Sequence, residues 1–397
     1  MKVCLIGLGY VGLPQAVLLA RSHDVVGVDI DARKVEAVNA GRPPFEEVGL
    51  EEALARALES GFRAAAEPEE ADAFVLCVPT PLRGRSIDTR PLVLAAEAVA
   101  GRLRGGELVV VESTVGPGTC LGVVEPILAS SGKPFLLAYC PERAIPGRTL
   151  EEMATTPRVV GVESNGAISM ARALYEPMVP GLKFTGLKTA EVVKVAENTF
   201  RAVNLALANE LADLCERIGV DVAEVIDIAN RHPRVEYLRP GSGVGGHCIP
   251  LDPWMLVDGL DAPIIRMAMT RNEHRPMELA MRVAAACRKG DKVAVLGLAY
   301  KPDTDDRRES PSNVIVEWLK GAGMTVATHD PYAPGGVSLG QALDGAQAAV
   351  VTVRHRRYAA LSPATFAGVR MIFDFCRAFP EWWAVEGSTL VRLGDGR

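Results

Sequence analysis

None of the eight cysteines stands in a Cys-x-x-Cys pair, and most lie inside apolar runs such as VCLIG and FVLCV. That absence argues against a disulfide framework or a zinc site and points to a reducing, cytoplasmic setting. No uninterrupted apolar run is long enough to cross a bilayer. The opening MKVCLIGLGYVGLP is a strand-like run closed by glycines, with no basic stretch or cleavage site, so it does not read as a signal peptide. Positive charge is also short. The net charge of −6 gives no footing for nucleic acid or a membrane surface. What is present is an ordinary globular composition, 48% hydrophobic and 23% charged over 397 residues, enough for two or three domains with large cores. A local anion site stays open, because Arg231, Arg234, Arg239, Lys301, Arg307 and Arg308 gather around glycine- or proline-rich segments.

Short β-branched runs at 2–7, 25–30, 73–79, 108–113, 135–141 and 158–163 alternate with amphipathic or alanine-rich segments, the rhythm of parallel βαβ units. From Thr189 a stretch without glycine or proline runs to Gly219 and predicts one long helix, with helical segments continuing to about Lys289. KVAVLGLAY, MTVATHD, AAVVTV and RMIFDF then restore the βα alternation. The expected fold is α/β, with two Rossmann-like doubly wound parallel-sheet domains, 1–187 and 289–397, joined by a central helical domain, 188–288.

Gly7-Leu8-Gly9-Tyr10-Val11-Gly12 follows the first strand and opens a helix, and Asp29 ends the next strand. The first glycine permits a tight turn, the second lets a pyrophosphate approach the main chain, and the third lets the helix pack on the sheet. Asp29 would hold a ribose diol and repel a 2′-phosphate, favouring NAD over NADP, while Arg33 and Lys34 beside it pull the other way. Thr80, Ser113-Thr114 and Glu142-Arg143 stand at successive strand ends, where such sheets bind ligands; any one alone is more often a turn or cap residue than a contact, but as a series they outline one cleft beside the dinucleotide.

Lys194, Asn198 and Arg201 fall at i, i+4 and i+7 on the long helix, and their apolar neighbours favour a buried cluster over a solvated face. In GSGVGGHCIPLDPW, Cys248 follows four glycines and is either a small buried hydrophobe or a nucleophile. Asp252-Pro253 reads as a helix cap followed by a first-turn proline, which would set the thiol just ahead of a helix start. No ligand cluster at metal spacing accompanies His247-Cys248, so no metal is expected. The block GLAYKPDTDDRRESP leaves the first strand of the second sheet and enters a helix at Ser310-Pro311; it is either a phosphate-binding loop or a solvated charged one.

Together these residues resemble the family of NAD-dependent nucleotide-sugar 6-dehydrogenases, which includes UDP-glucose, GDP-mannose and UDP-N-acetyl-hexosamine enzymes. GLGYVGLP, Ser113–Val115, CPER, AEVVKVAENTFRAVN, GGHCIPLDP and YKPDTDDRRESP occur in the family's order and spacing. The resemblance implies a four-electron oxidation of a sugar C6 alcohol to a carboxylate with two NAD, Cys248 taking the nucleophile's place. It puts Lys194 and Asn198 at the proton and the oxyanion, and Glu142 and Asp252 at acid–base or water-positioning carboxylates. Arg143, Ala144, Lys194, Asn198, Arg201, His232, Arg234, Gly245, Tyr300 and Lys301 would hold the nucleotide sugar. Gly7, Gly9, Tyr10, Val11, Gly12, Asp29, Lys34, Thr80, Thr114 and Arg308 would hold NAD.

Pro146, His247 and Leu251 replace a glutamate, a serine and a lysine usual in the UDP-glucose enzymes. The substrate implied is therefore a UDP-N-acetyl-hexosamine, UDP-N-acetyl-D-mannosamine ahead of its glucosamine epimer and of UDP-glucose, for a surface polysaccharide. The family also dimerises through its long helix, so 190–218 is the expected homodimer interface. Against this reading stand a two-electron dehydrogenase, for which Cys248 would be irrelevant, and a non-catalytic NAD and nucleotide-sugar sensor.

Overall fold

The structure, a computed structural model, describes residues 1–144 and 147–396; Pro146, singled out above, lies outside them. Continuous apolar runs become strands buried on both faces, as parallel sheets covered by helices require. The first sheet comprises β1 (Lys2–Ile6), β2 (Asp24–Val28), β3 (Arg63–Ala65), β4 (Ala73–Leu76), β5 (Glu107–Val111), β6 (Phe135–Tyr139), β7 (Arg158–Val162) and β8 (Leu182–Thr185). Their order is β8-β7-β6-β5-β4-β1-β2-β3. All neighbours are parallel except β6 and β7.

Alternate residues of one strand enter different cores: Val3 and Leu5 of β1 join one cluster, Cys4 and Ile6 the other. A period of two along each strand thus builds two hydrophobic layers, one per face. Of the strands of this sheet, sequence missed the two edges: β3 has three residues, and β8, LKFT, carries an exposed lysine and is only part-buried, so it is not an apolar run.

The second sheet, β9 (Lys292–Leu296), β10 (Thr325–His329), β11 (Ala348–Val351), β12 (Met371–Asp374) and β13 (Thr389–Arg392), is wholly parallel in the order β10-β9-β11-β12-β13. It repeats the scheme, with Val293 and Val295 in one cluster and Ala294 and Leu296 in the other. The edge strand β13 was not foreseen.

Helix α1 (Gly12–Leu19) is buried at every residue. The long helix α2 (Leu187–Ile218) matches its forecast and stops before Gly219, whose φ of 79° is the left-handed setting that glycine supplies. The chain divides into two compact units, residues 1–197 with 254–258, and 198–253 with 259–397. In the second unit Ala212 and Cys215 of α2 share a core with β9 and with Leu279, Ala280 and Val283 of the helix Pro263–Ala285. Within the expected helical connector, residues 230–251 form neither helix nor strand. No helix among the described residues is long and apolar enough to cross a membrane.

Candidate active site

In the first unit the glycine turn is fixed by sterics. Gly7 has a φ of 102°, and a Cβ there would lie 2.4 Å from the Cys77 carbonyl oxygen; one on Gly12 would lie 1.8 Å from the Gly7 oxygen. Gly9 is different. A Cβ on it meets nothing within 4 Å, so no part of the chain demands glycine there. No side chain caps α1, and with the Leu13 N–H turned to Gly9 O and Pro14 lacking one, the start of the helix keeps its positive end for an anion. A glycine needed only by something beyond the chain, beside an uncapped helix start, fits a dinucleotide pyrophosphate. Tyr10 is part-exposed over Phe45, ring centroids 4.4 Å apart.

Asp29 ties the turn to β2: Oδ2 accepts from Leu8 N at 3.0 Å and from Lys34 Nζ at 3.2 Å, and Oδ1 from Asp31 N at 2.9 Å. At the ends of β4 and β5, Thr80 Oγ1 donates to the Thr114 carbonyl at 2.7 Å and Ser113 Oγ to Val78 O at 2.7 Å. Two of the three strand-end sites named from sequence, Thr80 and Ser113-Thr114, therefore meet. Arg308, placed on the same cofactor by resemblance, belongs to the second unit, where its guanidinium forks onto Asp306 with Nη2–Oδ2 at 2.6 Å.

Glu142 is fully engaged. Its Oε1 accepts from Arg143 N and Ala144 N, both at 2.6 Å, and Oε2 from Arg158 Nη2 at 2.7 Å. Sequence reasoning missed what stands behind it: Arg158 also donates to Glu112 Oε1 at 3.1 Å and Gln15 Oε1 at 2.7 Å, and Tyr175 donates to Glu112 Oε1 at 2.6 Å. All of these side chains are buried. Arg143 is held by Glu197 through Nε at 3.0 Å and Nη2 at 2.5 Å. Glu191, one turn before Lys194 and also missed, accepts from Gly118 N at 2.5 Å and Cys120 N at 2.7 Å and so fixes the loop after β5.

The helix stripe is only partly the buried cluster expected. Lys194 is buried and Asn198 half-buried, but Arg201, on the same face, is exposed, because the packing that covers the helix at Lys194 does not extend to Arg201.

In the second unit Cys248 is the exposed member of the eight cysteines; the other seven are buried or half-buried. Burial pushes the Cys140 thiol up to about 12 and raises Cys77 as well, which leaves such groups inert. The Cys248 carbonyl accepts from Leu251 N at 3.0 Å and Asp252 N at 2.8 Å, a turn that puts the thiol and Asp252 in one bend. Asp252 is the first residue of a helix (Asp252–Leu256), not its cap. Its carboxylate instead accepts from Asn198 Nδ2 at 2.6 Å, so the helix of five residues gives the thiol little dipole support.

The glycines of this loop answer to their neighbours. A Cβ on Gly245 would lie 2.6 Å from the Glu309 oxygen and 2.7 Å from Tyr300 Cβ, and one on Gly246 2.8 Å from the Tyr300 ring. Gly245, Tyr300 and the cysteine loop are thus brought together, with Lys301 Nζ 5.9 Å from the Tyr300 ring centroid. Burial, and then the Arg308 charge, lower the His247 pKa. His232 and Arg234 contact each other, Arg234 Nη2 lying 3.4 Å from His232 Nε2.

Asp330, at the end of β10, matches Asp29 in topology but not in availability. It accepts from Leu298 N, Ala299 N, Tyr332 N and Ala333 N, and meets His355 Nε2 at 3.1 Å. Burial opposes ionisation, but His355 and these N–H groups hold the carboxyl well below its usual range. His355 Nδ1 accepts from Asp303 N at 2.9 Å, so the ring proton sits on Nε2 and points at Asp330. Asp303 has a φ of 56° and Glu309 one of 48°, so the 297–311 loop is held in strained settings by this packing.

A cavity of about 340 Å³ elsewhere in the second unit is lined by Arg239, Arg354 and Arg377, with Asp227 and Cys376. Arg354 and Arg377 follow β11 and β12 and were missed; the rule that ligands sit at the carboxyl ends of strands could have found them. Among the described residues no group of three or more His, Cys, Asp or Glu is arranged to hold a metal ion.

Three family models cover most of the chain. They describe the UDP-glucose/GDP-mannose dehydrogenase family's NAD binding domain at residues 1–179, its central domain at 188–274 and its UDP binding domain at 294–380. The UDP-N-acetyl-D-mannosamine dehydrogenase of Methanocaldococcus jannaschii is 38% identical over all of this chain and 97% of its own. The NDP-N-acetyl-D-galactosaminuronic acid dehydrogenase of Ralstonia nicotianae is 40% identical over 90% of this chain and 91% of its own. The solved structure of the UDP-D-ManNAc dehydrogenase of Pyrococcus horikoshii superposes with a TM-score of 0.94 at 36% identity, covering 100% of both chains.

Proposed function

The chain belongs to the UDP-glucose/GDP-mannose dehydrogenase family and is an NAD-dependent UDP-sugar dehydrogenase, and from that premise we propose that it oxidises UDP-N-acetyl-D-mannosamine at C6 to UDP-N-acetyl-D-mannosaminuronate. The observation that carries the chemistry is Cys248, the exposed cysteine, in a bend whose Asp252 carboxylate accepts from Asn198. Relatives that bear the mannosamine name support the substrate.

NAD, when bound at the glycine turn, accepts a hydride in each of two passes. The chain's residues do the rest. Lys194 takes the C6 hydroxyl proton as the alcohol becomes an aldehyde. An aldehyde holds its remaining hydrogen until a nucleophile adds, so the Cys248 thiolate attacks the carbonyl carbon to give a thiohemiacetal, with Asn198 donating to the oxyanion. Loss of the second hydride leaves a thioester on Cys248. Water positioned by Asp252 attacks it, the C–S bond breaks, and the thiolate returns. One alcohol, one water and two NAD⁺ thus become one carboxylate, two NADH and three protons. Glu142, with both oxygens occupied by Arg143, Ala144 and Arg158, serves to shape the 142–144 backbone and not to carry a proton.

Tyr300 and Lys301, beside the cysteine loop, are assigned to the UDP moiety, a lysine charge suiting its phosphates. The galactosaminuronic name of one relative keeps other UDP-N-acetyl-hexosamines, the glucosamine epimer included, as the second reading. Following absorbance at 340 nm with UDP-N-acetyl-D-mannosamine, its gluco and galacto epimers and UDP-glucose decides it. Two NADH per UDP-N-acetyl-D-mannosamine is expected; strong turnover of UDP-glucose with none of the mannosamine sugar would refute the assignment.

The chain is further assigned as a homodimer. Phe200, Leu207 and Leu214 are 62%, 49% and 48% exposed and recur every seven residues along α2, the seam of a helix that packs on a partner. Light scattering should give twice the chain mass, falling to the chain mass for Leu207→Glu; a monomeric unaltered protein, or a variant that stays dimeric, would count against this interface.

A further inference from the structure

Two basic residues follow the acid that ends β2, and either could receive the 2′-phosphate of NADP. Lys34 is committed to Asp29, Nζ to Oδ2 at 3.2 Å. Arg33 is committed to Asp31: Nε reaches Oδ1 at 3.1 Å and Nη2 reaches Oδ2 at 3.1 Å, a parallel two-bond fork. Asp31 also accepts from Arg33 N at 3.0 Å as the cap of the helix Ala32–Asn39, and its own N–H donates to Asp29 Oδ1. The carboxylate that caps the helix is therefore the one that holds the arginine.

We propose that Asp31 is a specificity-determining residue for the dinucleotide: by clamping Arg33 it denies a 2′-phosphorylated cofactor its cation and sets a second negative charge beside Asp29. The side-chain hydrogen bond with Arg33 first, and the bond to its backbone N–H second, keep the Asp31 carboxyl below its usual range, so the clamp is charged at neutral pH. Arg33 is 90% exposed at its side chain and Asp31 31%. No packing holds the guanidinium apart from this fork, so it is free to swing out once its partner loses charge. A free arginine in this position gains a dianionic phosphate as partner, and Asp29 loses its like-charged neighbour. Both changes act in the same direction.

The inference rests on the dinucleotide site of the first unit, and NADH binding to the unaltered full-length chain tests that site separately. Asn caps a helix about as well as Asp, so Asp31→Asn keeps the fold while removing the charge. Titration of NADPH and NADH by their fluorescence, without sugar substrate, should show the NADPH-to-NADH affinity ratio rising about tenfold, or about 1.4 kcal/mol, in Asp31→Asn. Most of the gain should be lost in Asp31→Asn with Arg33→Ala, the remainder reflecting the missing Asp31 charge, and kcat/KM with NADP should follow the same pattern. A ratio within twofold of the unaltered protein, or a gain undiminished by the loss of Arg33, would overturn the clamp. Failure of the unaltered chain to bind NADH would overturn the site and the clamp together.

Discussion

Cys248→Ser is expected to lower the two-NADH oxidation by about 10⁴-fold, the scale on which removing a covalent nucleophile acts, while the first hydride transfer persists. Serine is nearly isosteric, and the backbone of the bend is held by Leu251 N and Asp252 N on the carbonyl of residue 248, so the loop keeps its shape. What changes is the nucleophile. An alcohol is almost wholly protonated at neutral pH, whereas a thiol supplies a few per cent of an intrinsically strong nucleophile. The aldehyde then waits without an adduct, and the second hydride has no route out. In a single-turnover experiment at 340 nm the variant should release at most one NADH per site and then stop. Two NADH per sugar at a rate within tenfold of the unaltered protein would show that this sulfur forms no bond to the substrate.

The second large effect is on stability. Arg158→Met removes the one cation between Glu112, whose side chain is 0% exposed, and Glu142, at 10%. Taking one partner from a buried pair costs about 3–5 kcal/mol, because the remaining charge has no water to turn to; methionine fills similar volume, so little of this is cavity. Even beside Arg158, burial holds the Glu112 carboxyl above its ordinary value of 4.5. A carboxyl whose pKa is raised by folding contributes stability that is complete below the unfolded value and is lost as pH rises through the folded one. The variant should therefore be closer to the unaltered protein at pH 5 than at pH 8 in chemical denaturation, and Glu112→Gln added to it should recover part of the loss. A deficit under about 1 kcal/mol at pH 8, independent of pH, would mean that the network is not what braces Glu142.

Much of this was legible beforehand, for physical reasons. Strands β1, β4 and β5 are near-continuous hydrophobic runs because both faces are buried, and such runs have few other readings. The glycine turn announced itself because Gly7 and Gly12 have no steric alternative. Cys248 stood out because its neighbours are glycine and proline where those of most other cysteines are valine, leucine and phenylalanine. The edge strands β3, β8 and β13 were silent, because they are part-exposed and mix polar residues into their few positions where the central strands are almost wholly apolar.

Paired polar groups were silent as well. Arg158 begins a strand in sequence, and only the crossing of β5, β6 and β7 with α1 delivers Glu112, Glu142 and Gln15 to its guanidinium. Asp252 was read as a cap because Asp-Pro is a local signal, yet Asn198, 54 residues earlier, had the stronger claim on it. Local chemistry writes turns into a sequence; long-range charge pairing leaves no comparable mark.

The Asp330–His355 arrangement limits what protein engineering can ask of the second sheet. Grafting a glycine fingerprint onto the loop after β9 would copy the scaffold of a nucleotide cradle without its selectivity, since the acid meant to greet the ribose already has its lone pairs spoken for by four amides and an imidazole. A redesign would have to evict His355 first, and with it the prop beneath Asp303. Asp29 takes three donors and keeps an acceptor position to spare, whereas Asp330, with five, keeps none.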